Sequence, residues 1–111
     1  MLNELLPNPS SGNPEWVELY NPTDSEVNLT GWYLEDADSH KKPLDGISPL
    51  PSKQIKVLEG TNDGWLLNNS GSETVYLKDQ SGTVIDSYQY NGDPGENKSF
   101  ARFPNGGNWG V

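Results

Sequence analysis

The residues best suited to acid–base chemistry lie in one polar stretch near the middle of the chain. His40 is the only histidine, Ser39 precedes it, and Asp36 and Asp38 lie shortly before them. A Ser–His–Asp triad needs these residue types, but it is defined by geometry in space and not by adjacency in sequence. The following Lys-Lys-Pro sequence is typical of an exposed loop. We therefore interpret His40 as a solvated loop residue and expect no catalytic residue here.

Asp36 and Asp38 are also candidate calcium ligands. Ca²⁺ takes about six to eight oxygen ligands, and the sequence Asp-Ala-Asp-Ser begins like an alternating calcium loop. The glycine and the distal glutamate of such a loop are absent at the required spacing. We expect a solvated loop without a cofactor, with calcium binding as the alternative. The chain has no cysteine, which excludes a disulfide, a cysteine zinc site and a thiol nucleophile.

Aromatic residues could form an exposed platform on which sugar rings stack. The candidates are Trp16, Tyr20, Trp65, Tyr88, Tyr90 and Trp109. The alternative is that they pack in and around a core that is short of aliphatic residues, since large aromatic side chains bury much surface each. Four of them, Trp16, Tyr20, Tyr88 and Tyr90, are the candidate exposed aromatic rim for binding.

Glu18 and Asp86 lie in the middle of predicted strands, where a lone buried carboxylate is costly. Asp86 shares one face of its predicted strand with Val84, Tyr88 and Tyr90, and the direction of that face is left open. Glu18 and Asp86 can both be accommodated if they face solvent, and Arg102 is a candidate partner for one of them. A glycosidase would need two carboxylates at a defined separation across a cleft. The sequence does not indicate such a cleft, so we expect no enzyme activity from this pair.

The formal net charge of −9 restricts the partners of the protein, since sixteen acidic residues oppose seven basic ones. This charge repels phosphate groups, so we expect no binding of nucleic acid and no attachment to an anionic membrane. No apolar run approaches the length of a membrane span, and no signal peptide is recognisable. We interpret residues 1–111 as a single domain cut from a longer exported chain.

The spacing of apolar and turn-forming residues predicts an all-β fold. Twelve glycines and nine prolines cluster with Asn, Asp and Ser between short apolar runs. Strands are predicted over residues 2–6, 15–20, 54–58, 74–78, 83–90 and 99–103, with a further short strand within 35–51. Another strand is predicted to follow the turn at residues 21–25, to run to Leu34 and to change direction at Gly31. The predicted core comprises Val17, Leu19, Leu29, Trp32, Leu34, Ile55, Val57, Val75 and Leu77.

Two glycines are predicted to set local backbone geometry. Leu29 and Trp32 have opposite parity, so both can be buried only if the register shifts between them, and Gly31 is the expected site of a bulge. Residues 79–82 form a four-residue connection that ends in Gly82, as a hairpin turn closing on a left-handed residue requires.

Several short motifs, in order, resemble the lamin tail domain family. They are Glu4-Leu-Leu-Pro-Asn-Pro9, Glu15-Trp-Val-Glu-Leu-Tyr-Asn21, Leu29-Thr-Gly-Trp-Tyr-Leu34, Trp65-Leu-Leu-Asn68, Gly82-Thr-Val-Ile-Asp-Ser87 and Lys98-Ser-Phe-Ala-Arg-Phe-Pro104. The resemblance is to the prokaryotic branch more than to nuclear lamins. It implies an immunoglobulin-like β-sandwich of about seven to nine strands. It also implies a domain without shared catalytic residues, appended to exported nucleases, phosphoesterases or surface proteins.

Together these observations predict a non-catalytic interaction module, extracellular or at the cell surface, within a larger exported protein. We expect it to contact a protein partner, its own parent chain or a second copy of itself, without inserting into a membrane. One alternative is a calcium-dependent adhesion or carbohydrate-binding module. Another is an accessory domain of a secreted nuclease or phosphoesterase.

Overall fold

The computed structural model describes residues 1–6, 15–37, 39–59, 72–91 and 99–110. This part of the chain forms nine β-strands and one turn of 3₁₀ helix at Asp45–Ile47. The strands are β1 (Leu2–Leu6), β2 (Trp16–Tyr20), β3 (Tyr33–Glu35), β4 (Lys41–Pro43), β5 (Ile55–Glu59), β6 (Ser72–Lys78), β7 (Val84–Asn91), β8 (Phe100–Phe103) and β9 (Asn108–Gly110). The short strand expected within residues 35–51 is β4, whereas β9 was not predicted. Of the strand predicted up to Leu34, only β3 forms, and Val27 makes an isolated bridge to Leu50.

The strands form two antiparallel sheets that pack face to face. One sheet has five strands in the order β5-β2-β1-β8-β9, and the other has four in the order β4-β3-β6-β7. The predicted β-sandwich of about seven to nine strands is therefore confirmed. In the described ranges, no helix is long and apolar enough to span a membrane.

Alternation along β2 shows how the sequence builds the core. Val17 and Leu19 are buried, whereas Trp16, Glu18 and Tyr20 are partly exposed, because successive side chains of a strand point to opposite faces. We call the side of the five-stranded sheet that faces the other sheet its inner face, and the opposite side its outer face. Six residues of the predicted core are buried, namely Val17, Leu19, Leu29, Leu34, Val75 and Leu77.

The prediction that Ile55 and Val57 belong to the core is wrong, since their exposed fractions are 43% and 46%. In the pairing of β5 with β2, Ile55 lies opposite Tyr20 and Val57 lies opposite Glu18. Opposite residues of an antiparallel pair have their side chains on the same face. Both apolar side chains therefore lie on the outer face, while Leu58 takes the inner face and packs against the core.

The chain reverses direction at Gly31 through a tight turn and not through the predicted bulge. Gly31 has a φ of 83°, and the Trp32 N–H donates to the Leu29 carbonyl at 2.9 Å. A hydrogen bond between the first and fourth residues, with a positive φ at the third, defines a type II β-turn. The turn resolves the parity conflict, since Leu29 is buried and the half-buried Trp32 also packs against the core.

Two hairpins complete the sheets. The β6–β7 connection is the predicted one, with Gly82 at a φ of 82° and its N–H donating to the Asp79 carbonyl at 3.0 Å. The β8–β9 turn contains Gly106 at a φ of 76°, and the Asn-Gly-Gly sequence there is a usual hairpin signal. β8 pairs with β1, so the last strands of the chain extend the sheet that the first strand begins.

Candidate functional site

An aromatic cluster lies between β7 of one sheet and the β8–β9 hairpin of the other. The rings of Tyr88 and Trp109 stack at a centroid distance of 4.1 Å, and Phe100 lies 5.5 Å from Tyr88 and 4.9 Å from Tyr90. Burial raises the pKa of the Tyr88 phenol above its ordinary value of 10.0. The cluster is thus part of the packing between the sheets.

The four residues of the candidate aromatic rim do not share one surface. Trp16 and Tyr20 are partly exposed on the outer face of β2, whereas Tyr88 and Tyr90 point inward from β7. The expectation that Tyr90 is exposed is wrong, because contact with the β8 strand leaves only 4% of it accessible. Ligand binding by Trp16 and Tyr20 stays a prediction. Trp65 lies outside the described residues.

Asp86 is a carboxylate that joins the two sheets. Its Oδ2 accepts a hydrogen bond from the Leu2 N–H at 2.9 Å and lies 3.3 Å from Nη2 of Arg102, so the expected arginine partner is confirmed. Its Oδ1 accepts from the Ser87 N–H at 2.9 Å. The Arg102 guanidinium also lies over the Trp109 ring, 4.8 Å from its centroid. Oδ2 of Asp86 therefore links β7 to β1 and β8 of the other sheet, whereas Oδ1 bonds within β7.

Glu18 and Asp86 do not face a common cleft. Glu18 lies on the outer face of the five-stranded sheet, where its Oε1 accepts a hydrogen bond from Nδ2 of Asn3 at 2.6 Å. Asp86 lies between the sheets, on the other side of β1. Because a glycosidase needs its two carboxylates to flank one bond, this pair does not have the required arrangement.

The loop between β3 and β4 brings Asp36 and His40 together. Oδ2 of the buried Asp36 lies 2.8 Å from Nδ1 of His40, and its Oδ1 accepts from the His40 N–H at 2.9 Å. The Asp36 N–H in turn donates to the His40 carbonyl at 3.1 Å. Such reciprocal bonding between a side chain and nearby backbone closes a tight loop. The two residues hold the β3–β4 connection in shape.

Of the two calcium candidates, Asp36 lies within the described residues. Asp38 lies outside the described residues, and both oxygens of Asp36 accept hydrogen bonds from His40. Within the part of the chain that the structure describes, no group of three or more His, Cys, Asp or Glu side chains could hold a metal ion. Calcium binding by Asp36 and Asp38 stays a prediction.

A buried carboxylate that we did not predict is Glu73 at the start of β6. Its Oε1 accepts hydrogen bonds from the Ala37 N–H at 2.9 Å and the Thr74 N–H at 3.0 Å. The pairing of β3 with β6 ends at Glu35 and Tyr76, and both donors lie just beyond that pair. The Glu73 carboxylate therefore accepts hydrogen bonds from backbone N–H groups that the pairing of the two strands does not satisfy. Glu73 lies on the same face of β6 as Val75 and Leu77, and this shared face is the sequence signal that could have indicated its burial.

The outer face of the five-stranded sheet carries the largest exposed apolar side chains of that sheet. Ile55 and Val57 lie beside the partly exposed rings of Tyr20 and Trp16 on the neighbouring strand. Phe103 on β8 is 69% exposed on the same face. Single exposed apolar residues are common, but a contiguous group on a small domain is typical of an interaction surface.

Charges are segregated between the two faces of this sheet. Its described strands contain three acidic residues, Glu4, Glu18 and Glu59, and all three lie on the outer face. They contain two basic residues, Lys56 and Arg102, and both lie on the inner face. Nζ of Lys56 donates to the Pro49 carbonyl at 3.1 Å, and Arg102 pairs with Asp86. The outer face therefore combines apolar side chains with negative charge.

A small groove opens at one end of the sandwich, next to Tyr20. Its volume is about 230 Å³. The apolar residues that line it are Met1, Tyr20, Pro22, Val27, Leu50 and Ile85. Sites for drug-sized ligands usually exceed about 300 Å³ and contain a few convergent polar groups. The side chain of Asn21, which also lines the groove, instead donates to the Ser25 and Leu50 carbonyls.

Comparison with protein families gives a match over most of the chain. The family model described as Lamin Tail Domain matches residues 1–92. Strands β1 to β7 lie within the matched region, and β8 and β9 follow it. The chain matches no curated protein and no solved structure. The matched family is a non-enzymatic family of immunoglobulin-like domains, and the two antiparallel sheets agree with it. The chain therefore belongs to the lamin tail domain family.

Proposed function

We propose that this domain is a non-catalytic interaction module that binds a partner protein through the outer face of its five-stranded sheet. The observation that carries the proposal is the exposure of Ile55 and Val57 beside Tyr20 and Trp16. Solvent contact with this apolar surface is unfavourable, and a partner that covers it gains about 25 cal/mol for each Å² removed from water. The acidic residues between these side chains restrict which partners fit.

The module is proposed to act within a longer exported or cell-surface protein. The resemblance of its motifs to the prokaryotic branch of the family supports this context, because that branch implies attachment to exported proteins. The net charge of −9 favours solubility and disfavours nucleic acid as the partner. The bound partner would then fix the parent chain to a surface or to a neighbouring domain.

The internal use of the carboxylates supports a non-catalytic role. Asp86, Glu18, Asp36 and Glu73 each accept a hydrogen bond from their own chain. A catalytic acid or base must instead reach the proton of a bound substrate within about 3 Å. These four carboxylates thus hold loops and strands of their own domain.

Site-specific crosslinking tests the proposed surface. A photo-reactive amino acid is placed at Val57 in the full parent protein, and a matched one at Gln89, which is exposed on the four-stranded sheet. Irradiation of the producing cells is expected to yield a discrete higher-mass adduct from position 57 and none from position 89. Equal yields from both positions, or none from position 57, would remove the outer face as the contact surface.

Substrate screening tests the non-catalytic part separately. The isolated domain is incubated with chromogenic esters, glycosides and phosphoesters. We expect no turnover above the uncatalysed rate. Turnover that is lost in His40→Ala, or in a variant with Glu18 and Asp86 both changed to alanine, would overturn the assignment.

A further inference from the structure

The free edge of β5 presents backbone groups at three alternate residues. β5 is the terminal strand of its sheet among the described residues. The Tyr20 N–H donates to the Met1 carbonyl at 2.9 Å and the Met1 amine donates to the Tyr20 carbonyl at 2.7 Å, so the backbone of Tyr20 bonds towards β1 and away from β5. Tyr20 and Ile55 therefore form a pair without mutual hydrogen bonds.

The alternation of the ladder extends this assignment along the strand. If Ile55 does not bond to β2, its N–H and carbonyl point to the free edge, and so do those of Val57 and Glu59. The 3.1 Å bond from the Asn21 N–H to the Gln54 carbonyl agrees, since it places Gln54 among the residues that do bond to β2. The edge thus offers three donors and three acceptors in extended geometry.

The side chains of these three residues lie on the outer face. Ile55 and Val57 are exposed apolar residues, and Glu59 adds a negative charge at the end of the strand. Edge strands of monomeric proteins are usually shielded by charge, proline or a covering segment, because an open edge pairs with other chains. Here two of the three outward side chains are β-branched and apolar, which favours pairing.

We propose that an extended, lysine- or arginine-bearing segment of the partner protein pairs with β5 as a sixth strand. The inference rests on the proposed function and specifies its partner. Backbone hydrogen bonds to an edge strand supply affinity, and alternate side chains supply specificity. Apolar residues of the segment lie beside Ile55 and Val57, and a basic residue lies opposite Glu59.

Charge selects a basic segment in preference to a second copy of this chain. The outer face carries Glu4, Glu18 and Glu59, while the two basic residues in the described strands of this sheet, Lys56 and Arg102, point inward. Two copies would bring together two chains of net charge −9. Like charges across an interface are unfavourable, whereas a cationic strand gains attraction along the whole face.

A short synthetic peptide provides the test. In antiparallel pairing, the peptide acetyl-TKLVTVK-amide sets its first lysine opposite Glu59 and its two valines opposite Val57 and Ile55. Binding of the fluorescently labelled peptide to the purified domain is followed by anisotropy. We expect saturable binding, weakened about tenfold or more in the charge-reversed peptide acetyl-TELVTVE-amide, and weakened by added salt.

Backbone pairing is tested by removing donors on each side of the contact. N-methylation of the fourth peptide residue, which faces the edge, is expected to weaken binding about tenfold or more, whereas N-methylation of the fifth is expected to weaken it much less. In the domain, Val57→Pro removes an edge N–H without removing a ladder bond to β2, and Val57→Thr keeps that N–H. Only the proline variant should lose the peptide.

Either of two results would overturn the inference. One is the absence of saturable peptide binding to the wild-type domain, and the other is equal binding of the two N-methylated peptides. The methylated peptides are tested on the wild-type protein, so this arm holds even if Val57→Pro does not fold. If the peptide does not bind, the result of the crosslinking test at Val57 still stands. The outer face as a contact surface and the pairing of a sixth strand are therefore tested independently.

Discussion

Asp86 occupies the space between the sheets, where an unpaired charge is unfavourable. Three donors surround its carboxylate, from Leu2, Ser87 and Arg102. Its side chain is 19% exposed and that of Arg102 is 15% exposed, so water screens the pair only in part. The arrangement converts a costly buried charge into a link between the first strand and the seventh.

Asp86→Ala is therefore expected to lower the free energy of unfolding by about 2–4 kcal/mol, because it leaves the Arg102 guanidinium and the Leu2 N–H without their acceptor. Urea denaturation followed by tryptophan fluorescence measures the change. Asp24→Ala is the matched control, since Asp24 is 97% exposed and pairs with Lys53 at 3.6 Å. That control is expected to change stability by less than about 0.5 kcal/mol. Equal effects would refute the structural role of Asp86.

Alkaline pH is expected to weaken the fold partly through Tyr88. Its burial raises the phenol pKa above 10.0, so the folded state favours the neutral form. This contribution to stability is complete below pH 10.0 and is lost as the pH rises through the raised pKa. Thermal midpoints recorded from about pH 8 to about pH 12 should fall less steeply in Tyr88→Phe than in the wild type.

Lys78 also contributes to the loss of stability at alkaline pH, so part of that loss is expected to remain in Tyr88→Phe. A hydrogen bond from Lys78 to Glu35, at 2.9 Å, raises the pKa of the ammonium group above 10.5. Its contribution is also lost as the pH rises, so Tyr88→Phe should reduce the slope without abolishing it. An unchanged slope would argue against burial as the cause of the Tyr88 shift.

Calcium is expected to leave the thermal midpoint unchanged at millimolar concentration. Both Asp36 oxygens accept from His40, so binding a cation would require breaking these bonds. A ligand that binds only the folded state must raise the midpoint, which makes melting curves with calcium and with chelator a direct test. A clear rise that disappears in Asp38→Asn would instead establish the calcium alternative.

At the scale of elements, β5 shows where sequence reasoning reaches its limit. Ile55-Lys-Val-Leu-Glu59 offers two alternating faces, and the β-branched pair Ile55 and Val57 makes one of them the better candidate for the core. The register against β2 decides otherwise, since it sets Ile55 opposite the outward Tyr20. Register depends on pairing with a distant strand, and a single strand sequence does not contain it.

Elements with local determinants were predicted well. Gly82 identified the β6–β7 hairpin, because a positive φ at a fixed turn position is a local requirement. For the candidate site, the shared parity of Asp86, Tyr88 and Tyr90 was also correct. Their inward direction was left open, because the contacts that stabilise it come from Arg102 and Phe100 on another strand.

The two strand environments predict losses of stability that differ greatly in size. Leu34→Ala on β3 should lower the free energy of unfolding by about 2–5 kcal/mol, because Leu34 is fully buried and truncation leaves a cavity. Ile55→Ala on β5 should lower it by less than about 1 kcal/mol, since that side chain already contacts water. Chemical denaturation of both variants measures the contrast. A large loss in Ile55→Ala would place β5 in the core after all.

At the scale of the whole molecule, charge dominates long-range behaviour. A net charge of −9 on 111 residues repels phosphate backbones. The two lysines of β4 add only two positive charges, which do not offset this repulsion. We expect no duplex DNA binding at about 0.15 M salt in an electrophoretic or anisotropy titration. A salt-sensitive micromolar complex would contradict this and would direct attention to Lys41 and Lys42.

The position of β1 in the centre of the five-stranded sheet governs the timing of folding. β1 pairs on one side with β2, which is synthesised soon after it. On its other side β1 pairs with β8, where Leu5 lies opposite Phe100, and β8 is synthesised near the end of the domain. Proteins rich in such distant pairings fold slowly. During translation the first strand therefore keeps an open, aggregation-prone edge until almost the entire domain has left the ribosome, and chaperones that shield nascent strands should improve its yield.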